Sequence, residues 1–347
     1  MDISREDFLR AASSIVTPAQ ADALWRALAS KPGDGERPRF DLTHFAYYFG
    51  ALIVMSALGW FMTNAWEAFN GGGIFLIATV YGLCFALAGR TLWRGGDFKV
   101  AGGLLFTLAV WMTPLAVYGL ERWTGIWPDK DPGVYRSYYE WVRGGWFSME
   151  AATLAVGAAT LLFVRFPFLT FPIAFTLWFM SMDLTPLIYG DKFAWTQRLW
   201  VSVWFGLAML VVSYVVDRRT REDYAFWGYL FGLVAFSGGL TFMESGSEWG
   251  RLGYALIHFV LMLLAMALDR RTFMVFGALG VFGYLGHLAY SVFSDSILFP
   301  FALTLFGIGV IWLGVQYQRR RDRLQETVRM ALPAAIRRLL PQAREQR

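Results

Sequence analysis

Charge is scarce in this chain. Only 16% of its 347 residues are Asp, Glu, Lys or Arg, against roughly 25% in soluble domains, so too little charge exists to clothe a water-facing surface. Cys84 is the sole cysteine, which excludes an intrachain disulfide and any metal site built from several thiolates. The three histidines, His44, His258 and His287, fall on three different apolar runs, and His44 belongs to the opposite face from His287, so a shared metal is excluded. No His-Glu-x-x-His, no Gly-x-Ser-x-Gly and no Walker-type phosphate loop occurs. Gly71-Gly72-Gly73 reads as a turn, because neither Lys-Ser nor Lys-Thr follows it. Catalytic residues are therefore unassigned, the chain does not read as an enzyme, and no cofactor or metal is expected. The segment MDISREDFLR lacks the apolar core of a cleavable signal.

What is present is apolar and aromatic: 56% of the residues are hydrophobic and 18% are Phe, Trp or Tyr. Runs of about twenty apolar residues recur, each long enough to cross a hydrocarbon core of roughly 30 Å as a helix. The expected fold is all-α, a polytopic integral membrane bundle of about ten transmembrane helices. The runs lie near 43–65, 71–89, 100–120, 146–164, 167–188, 196–216, 224–243, 250–268, 272–291 and 297–317. Three parts follow: a helix pair and linker over 1–42, a membrane domain over 43–317, and a tail over 318–347.

Charge orders this layout. With ten spans, alternate connections fall on one side together with both termini. That side holds 24 of the 31 Lys and Arg residues; the other holds Arg122, Lys130, Arg136, Arg143, Lys192, Arg198 and Arg251. The positive-inside bias then places both termini in the cytoplasm. The net charge of +5 reflects these helix ends, and nucleic acid is rejected as a partner. Trp60, Trp66, Trp123, Trp127, Trp141, Trp146, Trp195 and Trp249 fall near outer ends, where amphipathic rings favour the headgroup level. The outer segment 121–145 is rich in Tyr and Trp and suggests a folded cap.

Two phrases recur. Thr113-Pro114-Leu115 and Thr185-Pro186-Leu187 close the third and fifth spans, each after a Phe-Thr-Leu. Asp217-Arg218-Arg219-Thr220 and Asp269-Arg270-Arg271-Thr272 end the sixth and eighth. Echoes two spans apart put similar helices in the same direction, which suggests tandem helical hairpins. Pro114 and Pro186 remove a backbone donor and act as helix-breaking residues. They read either as simple stops or as opened helix ends lining an outward-facing cavity, since irregular backbone at membrane depth needs shielding.

The ends carry amphipathic segments. Two short helices are expected near 4–14 and 18–30; at Thr17-Pro18-Ala19-Gln20, Thr caps, Pro fills the first turn and Gln reaches back. The basic tail QRRRDRLQETVRMALPAAIRRLLPQAREQR repeats Leu324, Val328 and Leu332 at helical spacing. It suits an interfacial helix held by anionic lipid headgroups, and the two ends together suit a cytoplasmic protein partner.

Ionisable groups inside spans are costly and mark function by default. Glu150, Asp183, His258 and His287, with Glu244 at the boundary, form the candidate intramembrane polar cluster. A carboxylate beside a histidine could relay a proton or hold a cation; the same residues, one turn from an interface, could also simply meet water.

The capped helix TPAQADALWRAL, a linker, and then hairpin after hairpin of Gly- and Leu-rich spans resembles the bacterial membrane proteins grouped as the domain of unknown function 2157. The resemblance implies a bacterial inner (cytoplasmic) membrane location and carries over no site residues. Three functions are consistent with the sequence. One is a small-solute or ion transporter with an outward-facing polar cavity. Another is a non-catalytic sensor or scaffold of envelope complexes. The third is an intramembrane lipid-modifying enzyme using Glu150 or Asp183.

Overall fold

The computed structural model describes residues 12, 16–29, 42–95, 98–127, 146–189, 193–220, 222–243 and 246–289, with helical positions at 300–301, 304–305 and 307–308. The expected helix near 4–14, most of the cap over 121–145, Glu244, nearly all of the tenth apolar run and the basic tail lie outside them. Among the described residues every regular element is a helix. In chain order these are α1 (Pro18–Ala29), α2 (Leu42–Ala68), α3 (Gly71–Gly95), α4 (Lys99–Trp111), α5 (Thr113–Thr124), α6 (Phe147–Phe163), α7 (Thr170–Tyr189), α8 (Trp195–Arg219), α9 (Phe226–Phe242), α10 (Glu248–Leu268) and α11 (Arg271–His287); a 3-10 turn, Pro167–Leu169, precedes α7. By length and composition, five stretches suffice to cross a membrane: Gly71–Gly95, Lys99–Thr124, Pro167–Thr185, Trp195–Arg219 and Glu248–Leu268.

The helices pack as consecutive hairpins: α3 with α4 and α5, α6 with α7, α8 with α9, and α10 with α11. Glycine sets the closeness of these pairs. A Cβ on Gly102 of α4 would lie 3.0 Å from the Gly89 carbonyl of α3, and one on Gly206 of α8 would lie 2.7 Å from the Gly232 carbonyl of α9. On α11, a Cβ at Gly277 would lie 2.7 Å from the His258 carbonyl of α10. Small residues at such crossings let backbones approach where lipid offers no hydrophobic drive.

The hairpin turns gather at one end. Trp93 meets Phe166 edge-on at 6.3 Å, and Phe168 meets Trp227 at 5.4 Å. Arg270, between α10 and α11, binds Asp217 and Asp223 at the α8–α9 turn. This end carries Arg90, Arg94, Arg165, Arg218, Arg219, Arg270 and Arg271. Inside the bundle, an aromatic column follows the i, i+4 spacing of Phe171, Phe175 and Phe179 on α7. Trp111 of α4 stacks on Phe171 at 5.5 Å, and Phe231 of α9 meets Phe175 at 5.6 Å. Offset and edge-on ring pairs contribute about 0.5–1.5 kcal/mol each beyond burial, so the column ties three hairpins together.

The outward faces are apolar. Leu76, Val80, Leu83 and Leu87 are all exposed along α3, as are Trp204, Leu207, Val211 and Val215 along α8. A water-soluble monomer rarely leaves such stripes bare.

Three local readings change. The Gly71 triplet is the first turn of α3: the Asn70 side-chain oxygen accepts from the Gly73 amide at 2.9 Å, so Asn70 caps a helix where a turn is expected. Pro114 does follow a break, since α4 ends at Trp111 and Pro114 lies in the first turn of α5, where its missing N–H costs nothing. The chain runs on helically to Thr124, so the proline opens a helix rather than closing one. Pro186 lies within α7, which continues to Tyr189 and is not broken there. At Thr17 the expected reach-back is present, the Gln20 side-chain oxygen accepting from the Thr17 amide at 3.1 Å, but the Thr17 hydroxyl donates to that same oxygen at 2.9 Å instead of capping a helix amide.

Candidate functional site

The α6–α7 hairpin carries Glu150 and Asp183. Glu150 stands thirteen residues before Phe163, the end of α6, and Asp183 thirteen residues after Thr170, the start of α7. Both therefore lie toward the end of the hairpin away from the turn. They are near enough for their charges to act on each other, and Asp183 also feels the Arg198 guanidinium of α8. Glu150 is 4% exposed and Asp183 6%. Both Glu150 oxygens and Oδ2 of Asp183 lack a hydrogen-bond partner among the described residues, as does the fully buried Thr185 hydroxyl. Native structures leave few buried polar atoms unsatisfied, and those that persist call for an explanation such as an ion, a water or a chemical role.

The mouth of this pair is aromatic and polar. Trp146, one turn before Glu150, stacks on Phe179, one turn before Asp183, at 5.4 Å. The Ser148 hydroxyl donates to Glu121 of α5, fixing the start of α6. Tyr118 is 1% exposed and packs edge-on to Trp127 at 4.8 Å.

His258 and His287 lie in the α10–α11 hairpin, which joins the bundle through α9. His258 is 1% exposed and wedged against Gly280, where a Cβ would overlap the imidazole. Its Nδ1 lies 2.9 Å from the Tyr254 carbonyl, and its Nε2 is unpartnered. His287 lies at the far end of α11: its Nε2 is 2.7 Å from Arg251 Nη1 and 3.3 Å from Glu248. Glu150 and Asp183 thus come together, whereas the contacts of His258 and His287 are with their own hairpin. Among the described residues no group of three His, Cys, Asp or Glu side chains is placed to hold a metal.

The strongest buried ion network involves residues that sequence patterning treats as boundary chemistry. Arg270 is 8% exposed. Its Nη2 donates to Asp217 Oδ1, its Nε to Asp217 Oδ2 at 3.1 Å, and its Nη1 to Asp223 at 2.7 Å. The guanidinium also lies over the Tyr229 ring, 5.4 Å from its centre. The signal was the Asp-Arg-Arg-Thr echo itself: the aspartate of one copy clasps an arginine of the other.

Searches against protein-family models, curated proteins and solved structures give no match to this chain. Function therefore rests on the geometry alone.

Proposed function

We propose that this protein is a multi-pass membrane permease for a small solute or ion, in which the Glu150–Asp183 pair carries a proton or a monovalent cation. The observation that supports it is a pair of buried carboxyl groups toward the same end of one hairpin, three of whose oxygens have no hydrogen-bond partner among the described residues. Two carboxylates in a dry interior require a compensating proton or cation, and the bundle that holds them presents exposed apolar helix faces suited to lipid. The Arg198 guanidinium, near enough to Asp183 for their charges to act on each other, balances part of the charge and can alternate with a bound cation.

In this reading the arginine-rich end faces the cytoplasm, the membrane is the bacterial inner membrane, and ten spans complete the bundle. The resemblance to the domain of unknown function 2157 proteins is kept on the same footing. Anionic headgroups hold the basic tail.

The test uses the full chain in phosphatidylcholine vesicles with a pH dye inside. Under an imposed potassium diffusion potential, proton and sodium fluxes are compared for wild type, Glu150→Gln and Asp183→Asn. Flux in wild type that both variants lose, at equal incorporation, supports the reading. Vesicles as tight as empty ones to both ions, or variants that conduct like wild type, refute it.

A further inference from the structure

The seam between the α6–α7 and α8–α9 hairpins holds a partly open cleft of about 640 Å³, inside the ~300–1,000 Å³ range of small-molecule sites. Small residues create it: Ala174 of α7, Ala208 of α8 and Gly228 of α9 all line it. Along α8 it extends from Phe205 to Thr220, roughly 22 Å at about 1.5 Å per residue. Half of a ~30 Å hydrocarbon core is shorter than that.

The wall offers an occupant almost no polar group. Its hydroxyls are already engaged with their own backbone: Thr170 donates to the Pro167 carbonyl at 2.7 Å, Ser213 to Met209 at 2.7 Å, and Thr220 to Val216 at 2.9 Å. What remains facing inward is methyl and methylene. The polarity lies at one end only. Arg165 and Tyr224 line the cleft at the arginine-rich end. Arg165 is exposed and has no ion pair or hydrogen bond among the described residues. Of the residues that line the cleft, Arg165 alone carries a charge. A long dry slot with one cation at the membrane-surface end is complementary to a hydrocarbon chain bearing a phosphate.

We propose that this inter-hairpin cleft is a binding site for an anionic glycerophospholipid, one acyl chain lying between Ala174, Ala208 and Gly228 and its phosphate paired with Arg165. The site rests on the membrane reading but does not involve Glu150 or Asp183. The bound lipid fills the gap that the glycine-tight hairpins leave between themselves, and so joins them.

Native mass spectrometry of the detergent-purified full chain, titrated with dioleoyl phosphatidylglycerol, tests it. Wild type is expected to retain one molecule, at least five-fold more tightly than dioleoyl phosphatidylcholine. Glycerol 3-phosphate alone, the headgroup without chains, should not compete. Arg165→Gln, at an exposed position, should remove the preference for the anionic lipid. Ala208→Trp, which fills the slot, should abolish retention, whereas Val80→Trp on the exposed face of α3 should not. Retention unchanged in Arg165→Gln and Ala208→Trp overturns the proposal. So does a benzophenone at Val212 that cross-links to another part of this chain or to a second copy instead of to lipid. Alkaline carbonate extraction separates the two levels: a chain that stays in the membrane but shows no preferred lipid refutes the cleft alone, and a chain that is released refutes the membrane reading.

Discussion

Replacing Arg270 with Met is the sharpest test of how the hairpins are joined. Arg270 and Asp217 are 8% and 7% exposed, and the guanidinium makes three hydrogen bonds to two carboxylates across the α8–α9 and α10–α11 hairpins. Met matches the stem and removes the charge, so Asp217 stays buried without its guanidinium. Breaking a buried ion pair from one side costs about 3–5 kcal/mol. Arg271, the next residue, is exposed, and its replacement by Met should cost less than about 1 kcal/mol, as for exposed ion pairs generally. Arg270→Lys keeps a charge but loses the planar fork and should fall between. The assay is reversible unfolding in mixed micelles, titrated with dodecyl sulfate and followed by near-ultraviolet circular dichroism. Adding Asp217→Asn to Arg270→Met should recover part of the loss, because the uncompensated charge is then gone. A midpoint for Arg270→Met no lower than that of Arg271→Met would show that the network does not hold the hairpins, and the reasoning would fail.

Three further outcomes follow from the packing. Gly206→Val should destabilise by about 1–3 kcal/mol, the usual cost of overpacking, because its side chain meets the Gly232 carbonyl; Gly238→Val, with nothing within 4 Å of a Cβ, should fall below 1 kcal/mol in the same titration. Gly280→Ala should displace the His258 ring and lower the thermal midpoint, and His258→Ala on the same chain should restore most of it; no loss in the single variant contradicts the wedge. Alkaline phosphatase fused after Trp127 should be active in cells and fused after Arg219 inactive, and the reverse result would invert the membrane orientation.

Much of the helical layout was legible in the sequence, because a helix that buries little polar surface announces itself by length. Helices α2 to α11 fall on the apolar runs from 43–65 to 272–291 as far as those residues are described, and the short connections dictate antiparallel neighbours. The placing of Glu150 and Asp183 toward the same end of one hairpin was within reach too, since each lies thirteen residues from the end of its helix nearest the turn. Other features were not legible. The aromatic column depends on which face of α7 meets α4 and α9, and an all-round apolar helix has no periodicity to say so. His258 was grouped with the carboxylates because depth along a helix can be counted and azimuth cannot. Arg270 looked like any arginine at an inner end; only packing shows that one of the two consecutive arginines turns inward to Asp217 while the other faces out. The glycine triplet was misread because its cap, Asn70, precedes it in a position that also suits a turn.

Because each hairpin closes through its own short turn at the arginine-rich end, the polypeptide is severable. α5 ends at Thr124 and α6 begins at Phe147, so a division between them falls inside neither helix. Two separately translated pieces, divided there, each keep their glycine-packed partners, and the stacked rings of Trp111, Phe171 and Phe175 give them a surface on which to reunite within the lipid.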